Sequence, residues 1–335
     1  MSDRDAKPKV RKESYAYAWS SKGDIYDQAY ALNRGRLRRS IEQLRANPDL
    51  PVEQRKQSSM TVVASSPEVK DELVKRHAQK LDEIKQDEID YRQDVAKEKN
   101  ELSQMVRQDA DKRYGWYNPM RYLYRQWGAT SSTAYASDPA PIADKRKRLG
   151  VYESMLASVP EERTIHANMK FVEMSELKSG STESNTRKLH LLGHGTAGLP
   201  AFATVQQPQG MKDYKLFDDL AKEFKQHGVL DKFTDIRMES CWSANPVKTD
   251  TYAEPGKYSH RHVELGETTL APAVYLHREI KKELPDKPFQ IKAYEGRGSQ
   301  ISNPIGQKQR NLTSPMVTTR QSTVSHVFSS DHEYK

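Results

Sequence analysis

The residues best suited to covalent chemistry in this sequence are a histidine and the chain's single cysteine. His194 lies in Leu-Leu-Gly-His-Gly (191–195), and Cys241 ends Met-Glu-Ser-Cys (238–241), 47 residues later. A thiolate can attack a carbonyl carbon, and a nearby imidazole can take the thiol proton and later protonate the leaving amine. The pair therefore predicts acyl-transfer chemistry, with Cys241 as nucleophile and His194 as general base and acid.

Both residues directly follow segments that have the pattern of buried strands, 188–193 and 234–240. In a parallel sheet the carboxyl ends of neighbouring strands meet at one edge, where ligands bind. Gly193 and Gly195 permit a tight turn around His194 and leave room for a substrate. The backbone N–H groups of Gly195 and Cys241 are then the predicted oxyanion donors.

The second half of the chain alternates strand and helix patterns, which is typical of an α/β fold with a mostly parallel sheet flanked by helices. The predicted strands are 164–174, 188–193, 234–240 and 289–294, and the predicted helices are 213–227, with Asp213 as its cap, and 268–284.

The first half has helical periodicity at 24–47 and 67–113, followed by an aromatic and arginine-rich segment at 114–127 that we expect to dock these helices. The next segment, 129–148, is rich in Ala, Ser and Pro and ends in a basic run, a composition that indicates an exposed connection. The predicted organisation is a helical N-terminal region at 1–128, a flexible basic linker at 129–149, a catalytic domain at 150–312 and a polar tail at 313–335.

The composition narrows the choice of partners and compartment. The net charge of +8 is spread along the chain, which favours a solvated basic surface over a nucleic-acid site. No hydrophobic signal region or membrane-spanning run is visible, and one cysteine cannot form an internal disulfide. We therefore expect synthesis in a reducing cytosol and no membrane span. Export would require a specialised apparatus whose signals are not hydrophobic.

The two reactive segments resemble the caspase-like cysteine peptidases, and the region after Cys241 most resembles the autoprocessing domains of large bacterial toxins. The resemblance rests on 189–195, on 236–241, and on the strand Ile-Lys-Ala-Tyr at 291–294; it extends over about 160–312. It implies a caspase-like fold, a protein substrate, and an effector or toxin that processes itself and cleaves host proteins.

The same resemblance implies roles in substrate binding. Glu239 would line the pocket for the residue before the scissile bond and select a basic side chain, although it would equally serve as a hydrogen-bonding group at the strand end. Ala293, Tyr294 and Glu295 would pair with the substrate backbone as an added strand.

The resemblance also implies an activator, inositol hexakisphosphate, held by basic side chains from Lys292, Arg297, Lys308 and Arg310, for which a solvated surface is the simpler interpretation. The basic run Lys145–Arg148 suggests a self-cleavage site for an acidic pocket. No cofactor and no metal are expected, because His190 and His194, four residues apart on a strand, would not be brought together as they would on a helix.

Two other functions fit the same residues. The cysteine and histidine could perform another acyl transfer, such as deamidation or transpeptidation. Alternatively, the chain could be a basic helical adaptor or nucleic-acid binder in which a peptidase-like core serves as a scaffold.

Overall fold

The computed structural model describes residues 13–51, 59–113, 138–179, 185–195, 197–205, 208, 210–241, 243–244, 270–294, 297–301, 308–311, 318–320 and 325–329. Its helices are α1 Ile25–Ala46, α2 Pro67–Arg113, α3 Ala140–Asn168, α4 Phe217–Gln226 and α5 Pro272–Glu283. Its strands are β1 Glu13–Ala18, β2 Thr61–Ala64, β3 Lys170–Glu173, β4 Arg187–Leu191, β5 Ala201–Ala203, β6 Tyr214–Leu216, β7 Asp235–Met238, β8 Gln290–Tyr294, β9 Arg297–Ile301, β10 Lys308–Asn311, β11 Thr318–Arg320 and β12 Ser325–Ser329.

Seven of these strands form one sheet in the order β12-β8-β7-β4-β1-β2-β3. Every neighbouring pair is parallel except β12 and β8, which are antiparallel. Two smaller sheets, β5-β6 and β9-β10-β11, lie outside it. The prediction of an α/β fold with a mostly parallel sheet is confirmed.

Alternating side chains give the sheet two faces with different covers. On one face, the ring of Tyr17 meets Phe224 of α4 edge-on at 5.6 Å, and Tyr15 meets Phe233 in the same way at 5.2 Å. Each such aromatic pair contributes about 1 kcal/mol beyond the area it buries. These contacts hold α4 and the turn after it against the centre of the sheet.

The other face is covered near β3 by α1 and the first turns of α2. The ring of Tyr26 stacks on Phe171 with centroids 6.5 Å apart, and its hydroxyl lies 2.9 Å from His77 Nδ1. His77 in turn contacts Phe171 at 5.0 Å. The described residues up to His77 are therefore part of the sheet domain rather than of a separate helical region.

The chain divides into two compact units, 1–77 with 168–335, and 78–167. The second unit consists of the rest of α2 packed against α3 around Leu102, Val106, Ile142 and Leu149. Ion pairs join the two helices, including Lys99–Glu153 at 2.9 Å. The helical unit is thus inserted between β2 and β3, instead of preceding the sheet domain.

The predicted boundaries change accordingly. Helices α1 and α2 match the predictions at 24–47 and 67–113, but β1 and β2, which flank α1, were missed. Residues 140–149 of the predicted linker lie in α3, where Lys145 and Arg146 are buried, while 129–137 and 114–127 fall outside the described residues. The predicted tail, 313–335, supplies β12 to the main sheet, so the sheet domain extends on both sides of 150–312.

Two element predictions need correction. Residues 164–168 continue α3, and only 170–173 form a strand of the segment predicted at 164–174. Asp213 does not cap a helix, since 214–216 pair with β5 and α4 begins at Phe217, after Leu216 as its N-cap. Phe217, Leu220 and Phe224 are buried as the periodicity predicted.

Buried His277 makes the sheet domain sensitive to acid. Burial, with a smaller contribution from the charge of Lys281, lowers the pKa of His277 from 6.5 to about 4. Between these pH values His277 is protonated in the unfolded chain but not in the folded chain. The free energy of unfolding should therefore fall as the pH drops from about 6.5 towards 4. We expect a loss of about 2 kcal/mol that is absent in His277→Leu, measured by denaturant unfolding at several pH values. An equal acid slope in both proteins would contradict this assignment.

No helix among the described residues is long and apolar enough to cross a membrane.

Candidate active site

The two predicted catalytic residues lie at the same edge of the sheet. Strands β4 and β7 are parallel neighbours, and Leu191 pairs with Met238 at their ends. His194 lies three residues after Leu191, and Cys241 lies three residues after Met238. The matched spacing brings the two loops out side by side, as the sequence predicts.

The loops touch at Gly195. A Cβ atom placed there would lie 2.9 Å from Ser240 Cβ and 3.0 Å from the carbonyl oxygen of Cys241. Real Cβ atoms essentially never come as close as 2.9 Å to another heavy atom, so a larger residue at position 195 would require one of the two loops to shift. Gly193 has a different role, because its φ of 145° lies in the region that favours glycine.

His194 is held by both its backbone and its side chain. Its backbone N–H donates to the carbonyl of Ala203 at 2.8 Å, and its carbonyl accepts from the Ala203 N–H at 2.9 Å. Its imidazole Nε2 lies 2.9 Å from Oδ2 of Asp24. Since Nε2 is engaged by the carboxylate, Nδ1 is the nitrogen left to exchange a proton with a substrate or thiol.

Asp24 is a site residue that the sequence analysis missed. It precedes the first residue of α1, yet its side chain makes no capping hydrogen bond to that helix. Its backbone N–H instead donates to the carbonyl of Thr204 at 2.8 Å, and its carboxylate faces His194. The signal available was a carboxylate just before a helix, but it fell in a segment interpreted as a separate domain.

The edge of the sheet therefore carries three groups in order. Asp24, His194 and Cys241 follow β1, β4 and β7, which are consecutive neighbours in the sheet. A carboxylate, an imidazole and a thiol in this order are the components of a nucleophile, its base and the group that orients the base.

Replacing Asp24 by asparagine should slow the chemistry without unfolding the protein. An amide oxygen accepts a hydrogen bond from the Nε2–H group less strongly than a carboxylate does. The imidazole therefore loses its preference for the tautomer that has its proton on Nε2. Because the Asp24 side chain is 48% exposed, we expect a loss of about tenfold, less than for a buried carboxylate. The measurement is the alkylation rate of Cys241 by iodoacetamide, followed by intact mass.

Asp27→Asn is the matched control for this change. Asp27 lies in the same first turn of α1 and is exposed. If both variants slow alkylation equally, Asp24 acts through general charge and not through His194.

Cys241 is half-buried and sits in a loop fixed by Ser243. The Ser243 hydroxyl lies 3.1 Å from the carbonyl of Met238 at the end of β7 and accepts the N–H of Tyr294 at 2.9 Å. The neighbouring Ala244 N–H donates to the Tyr294 carbonyl at 3.1 Å. The loop that carries Cys241 is thereby tied to the ends of both β7 and β8.

Glu239 does not point an open carboxylate towards a substrate. Its Oε1 lies 2.6 Å from Nδ1 of His190, and the two side chains are only 9% and 6% exposed. Arg39 lies close enough that the charge of Glu239 partly offsets the lowering of the Arg39 pKa by burial. A basic substrate side chain would have to displace His190 from this carboxylate.

The outer edge of β8 is already paired. Ala293 and Tyr294 lie opposite His326 and Ser325 of β12, and both backbone groups of Tyr294 are engaged by 243–244. A substrate strand at this position would have to replace β12. Glu295 lies outside the described residues, so its predicted role stays a prediction.

The predicted activator site is described only in part. Lys292 is a half-buried residue of β8, opposite Val327 of β12. Arg297 belongs to β9, and Lys308 and Arg310 belong to β10, two paired strands of the small three-stranded sheet. The role of these four basic residues in binding an inositol phosphate therefore stays a prediction.

Within the described part of the chain, no group of three or more His, Cys, Asp or Glu side chains is arranged to hold a metal ion. The backbone N–H groups of Gly195 and Cys241 remain the predicted oxyanion donors, at the point where the two loops meet.

No protein-family model matches the sequence, and no curated protein matches it.

Proposed function

We propose that this chain is a cysteine endopeptidase with a caspase-like arrangement of the sheet and catalytic loops. The observation that carries the proposal is the 2.9 Å contact between Asp24 and His194, on a loop packed against Ser240 and Cys241. A thiol alone, or a histidine alone, at a strand end would carry little weight. A carboxylate oriented on the histidine at the same sheet edge is what an activated nucleophile requires.

The reaction follows from these positions. Nδ1 of His194 takes the proton of the Cys241 thiol, and the sulfur attacks the carbonyl carbon of the peptide bond. The protonated imidazole, stabilised by Asp24, then gives its proton to the leaving amine as the carbon–nitrogen bond breaks. A thioester remains, which a water molecule hydrolyses after His194 takes one of its protons. The thiol and a free carboxylate are the products of this second half.

The proposed substrate is an extended polypeptide, and its sequence preference is left open by the enclosed carboxylate of Glu239. Self-cleavage at Lys145–Arg148 receives no support. Lys145 is 4% exposed within α3 and is paired with Glu98 at 2.8 Å. Peptidases bind extended backbone, so α3 would have to unwind before a cut could be made there.

The test is a comparison of wild type with Cys241→Ala on a library of peptides from a digested, alkylated lysate. New peptide termini that depend on Cys241 support the proposal. Loss of side-chain amides without new termini would replace it with deamidation. If neither product forms while an effect in cells survives Cys241→Ala, the enzyme interpretation is wrong and an adaptor role takes its place.

A further inference from the structure

One helix end supports both the side chain and the backbone of the histidine loop. Gln28 lies one turn after Asp24 in α1, and its backbone N–H donates to the Asp24 carbonyl at 2.8 Å. The Gln28 side-chain Oε1 accepts the backbone N–H of Gly193 at 2.8 Å, across 165 residues of sequence. The first turn of α1 therefore contacts two consecutive residues, Gly193 and His194.

The contact falls where the loop most needs support. Gly193 has a φ of 145°, and a Cβ atom there would lie 2.7 Å from Cβ of Phe202. Its N–H, two residues after the end of β4, donates to the Gln28 side chain, and a partly buried backbone N–H needs such a partner. Without the Gln28 oxygen, the Leu192–Gly193 peptide would lose the side-chain hydrogen bond that fixes its orientation.

The Gln28 amide is held at a cost. Its Nε2 atom is buried and has no hydrogen-bond partner among the described residues. A buried donor without a partner is unfavourable, because no hydrogen bond offsets its loss of water. An apolar side chain would avoid this cost, but it could not accept the Gly193 N–H. The position therefore carries an unfavourable group in exchange for one hydrogen bond to the catalytic loop.

We propose that Gln28 is a positioning residue for the general base: by accepting the Gly193 N–H, it fixes the Leu192–Gly193 peptide, from which the loop that carries His194 departs. This inference rests on the proposed function, because it assigns to Gln28 the geometry on which activation of the thiol depends. Gln28 touches neither the thiol nor a substrate, and it acts through Gly193 alone.

The test uses iodoacetamide on the full-length chain, where Cys241 is the single thiol. Gln28→Met keeps the length of the side chain and removes the acceptor, while Gln28→Glu keeps an acceptor oxygen and removes the orphaned Nε2. We expect Gln28→Met to lower the alkylation rate constant by about tenfold. Gln28→Glu should restore it to within about twofold of wild type, since the hydrogen bond is kept.

Asn33→Leu separates positioning from stability. Asn33 lies in the same helix, and its buried Oδ1 accepts the backbone N–H of Met60 at 2.6 Å. Like Gln28 it accepts a backbone N–H through its amide oxygen, but that N–H belongs to Met60 and not to the histidine loop. We expect Asn33→Leu to lower the thermal midpoint at least as much as Gln28→Met while leaving alkylation unchanged.

His194→Ala completes the set. If His194→Ala slows alkylation and Gln28→Met does not, the role of Gln28 is wrong while the proposed function stands. If His194→Ala has no effect, the proposed function fails. Equal slowing in Asn33→Leu and Gln28→Met would reduce Gln28 to a structural residue and overturn the inference.

Discussion

Replacing Cys241 by alanine should abolish the peptide termini that wild type produces, a fall of about 10⁴-fold or more. The side chain supplies the bond-forming atom, and no other group at this sheet edge is a comparable nucleophile among the described residues. His194→Ala should cost nearly as much, because members of one catalytic unit fail together. The measurement is mass spectrometry of new termini in a defined peptide library.

Folding must be checked in the same samples. Cys241 is half-buried in a loop whose hydrogen bonds run through Ser243, so the alanine variant should keep the wild-type thermal midpoint. His227→Ala, at the end of α4 and away from the loops, is the control for loss of an imidazole and should be fully active. Cleavage that survives in Cys241→Ala would remove the basis for a thiol peptidase.

The second large effect concerns the stability of the helical unit. Asp138 and Arg146 form an ion pair at 2.7 Å in which both side chains are 0% exposed. Asp138→Ala would leave the guanidinium buried without its carboxylate, which destabilises a protein by about 3–5 kcal/mol. We expect loss of the helical unit at a lower denaturant concentration, read by hydrogen exchange of the α3 amides.

Asp82→Ala provides the comparison. Asp82 pairs with Lys85 at 2.9 Å in the same unit, but the side chains are 77% and 54% exposed. Exposed pairs contribute about 1 kcal/mol or less. If Asp138→Ala is no more harmful than Asp82→Ala, the Asp138–Arg146 pair does not stabilise the unit as proposed.

The elements around the thiol could be predicted because local patterns define them. The apolar runs before His194 and Cys241 became β4 and β7, and the periodicity at 67–113 became α2 with the predicted bounds. Each of these predictions depends on residues close in sequence. They therefore survive without knowledge of the rest of the fold.

What could not be predicted depends on pairing between distant segments. Strand β1 has the sequence Glu-Ser-Tyr-Ala-Tyr-Ala. The reason why alanine alternates with tyrosine appears only in the folded protein, where this strand lies between β4 and β2. Asp24 was missed for the same reason, since its role exists only when β1 lies beside β4. Glu239 was assigned to a pocket because the sequence does not show that His190 reaches it.

The central position of β1 has a consequence for how the chain folds. Trp19, just after β1, donates its indole N–H to the carbonyl of Leu192, 173 residues later. Contacts of such high sequence separation slow folding, since loop entropy is lost before they form. During synthesis the edge of β1 that pairs with β4 stays unpaired until the inserted helices and β4 have left the ribosome, whereas β2 emerges earlier. We therefore expect a high-contact-order protein that refolds slowly and depends on chaperones while β1 lacks its neighbours.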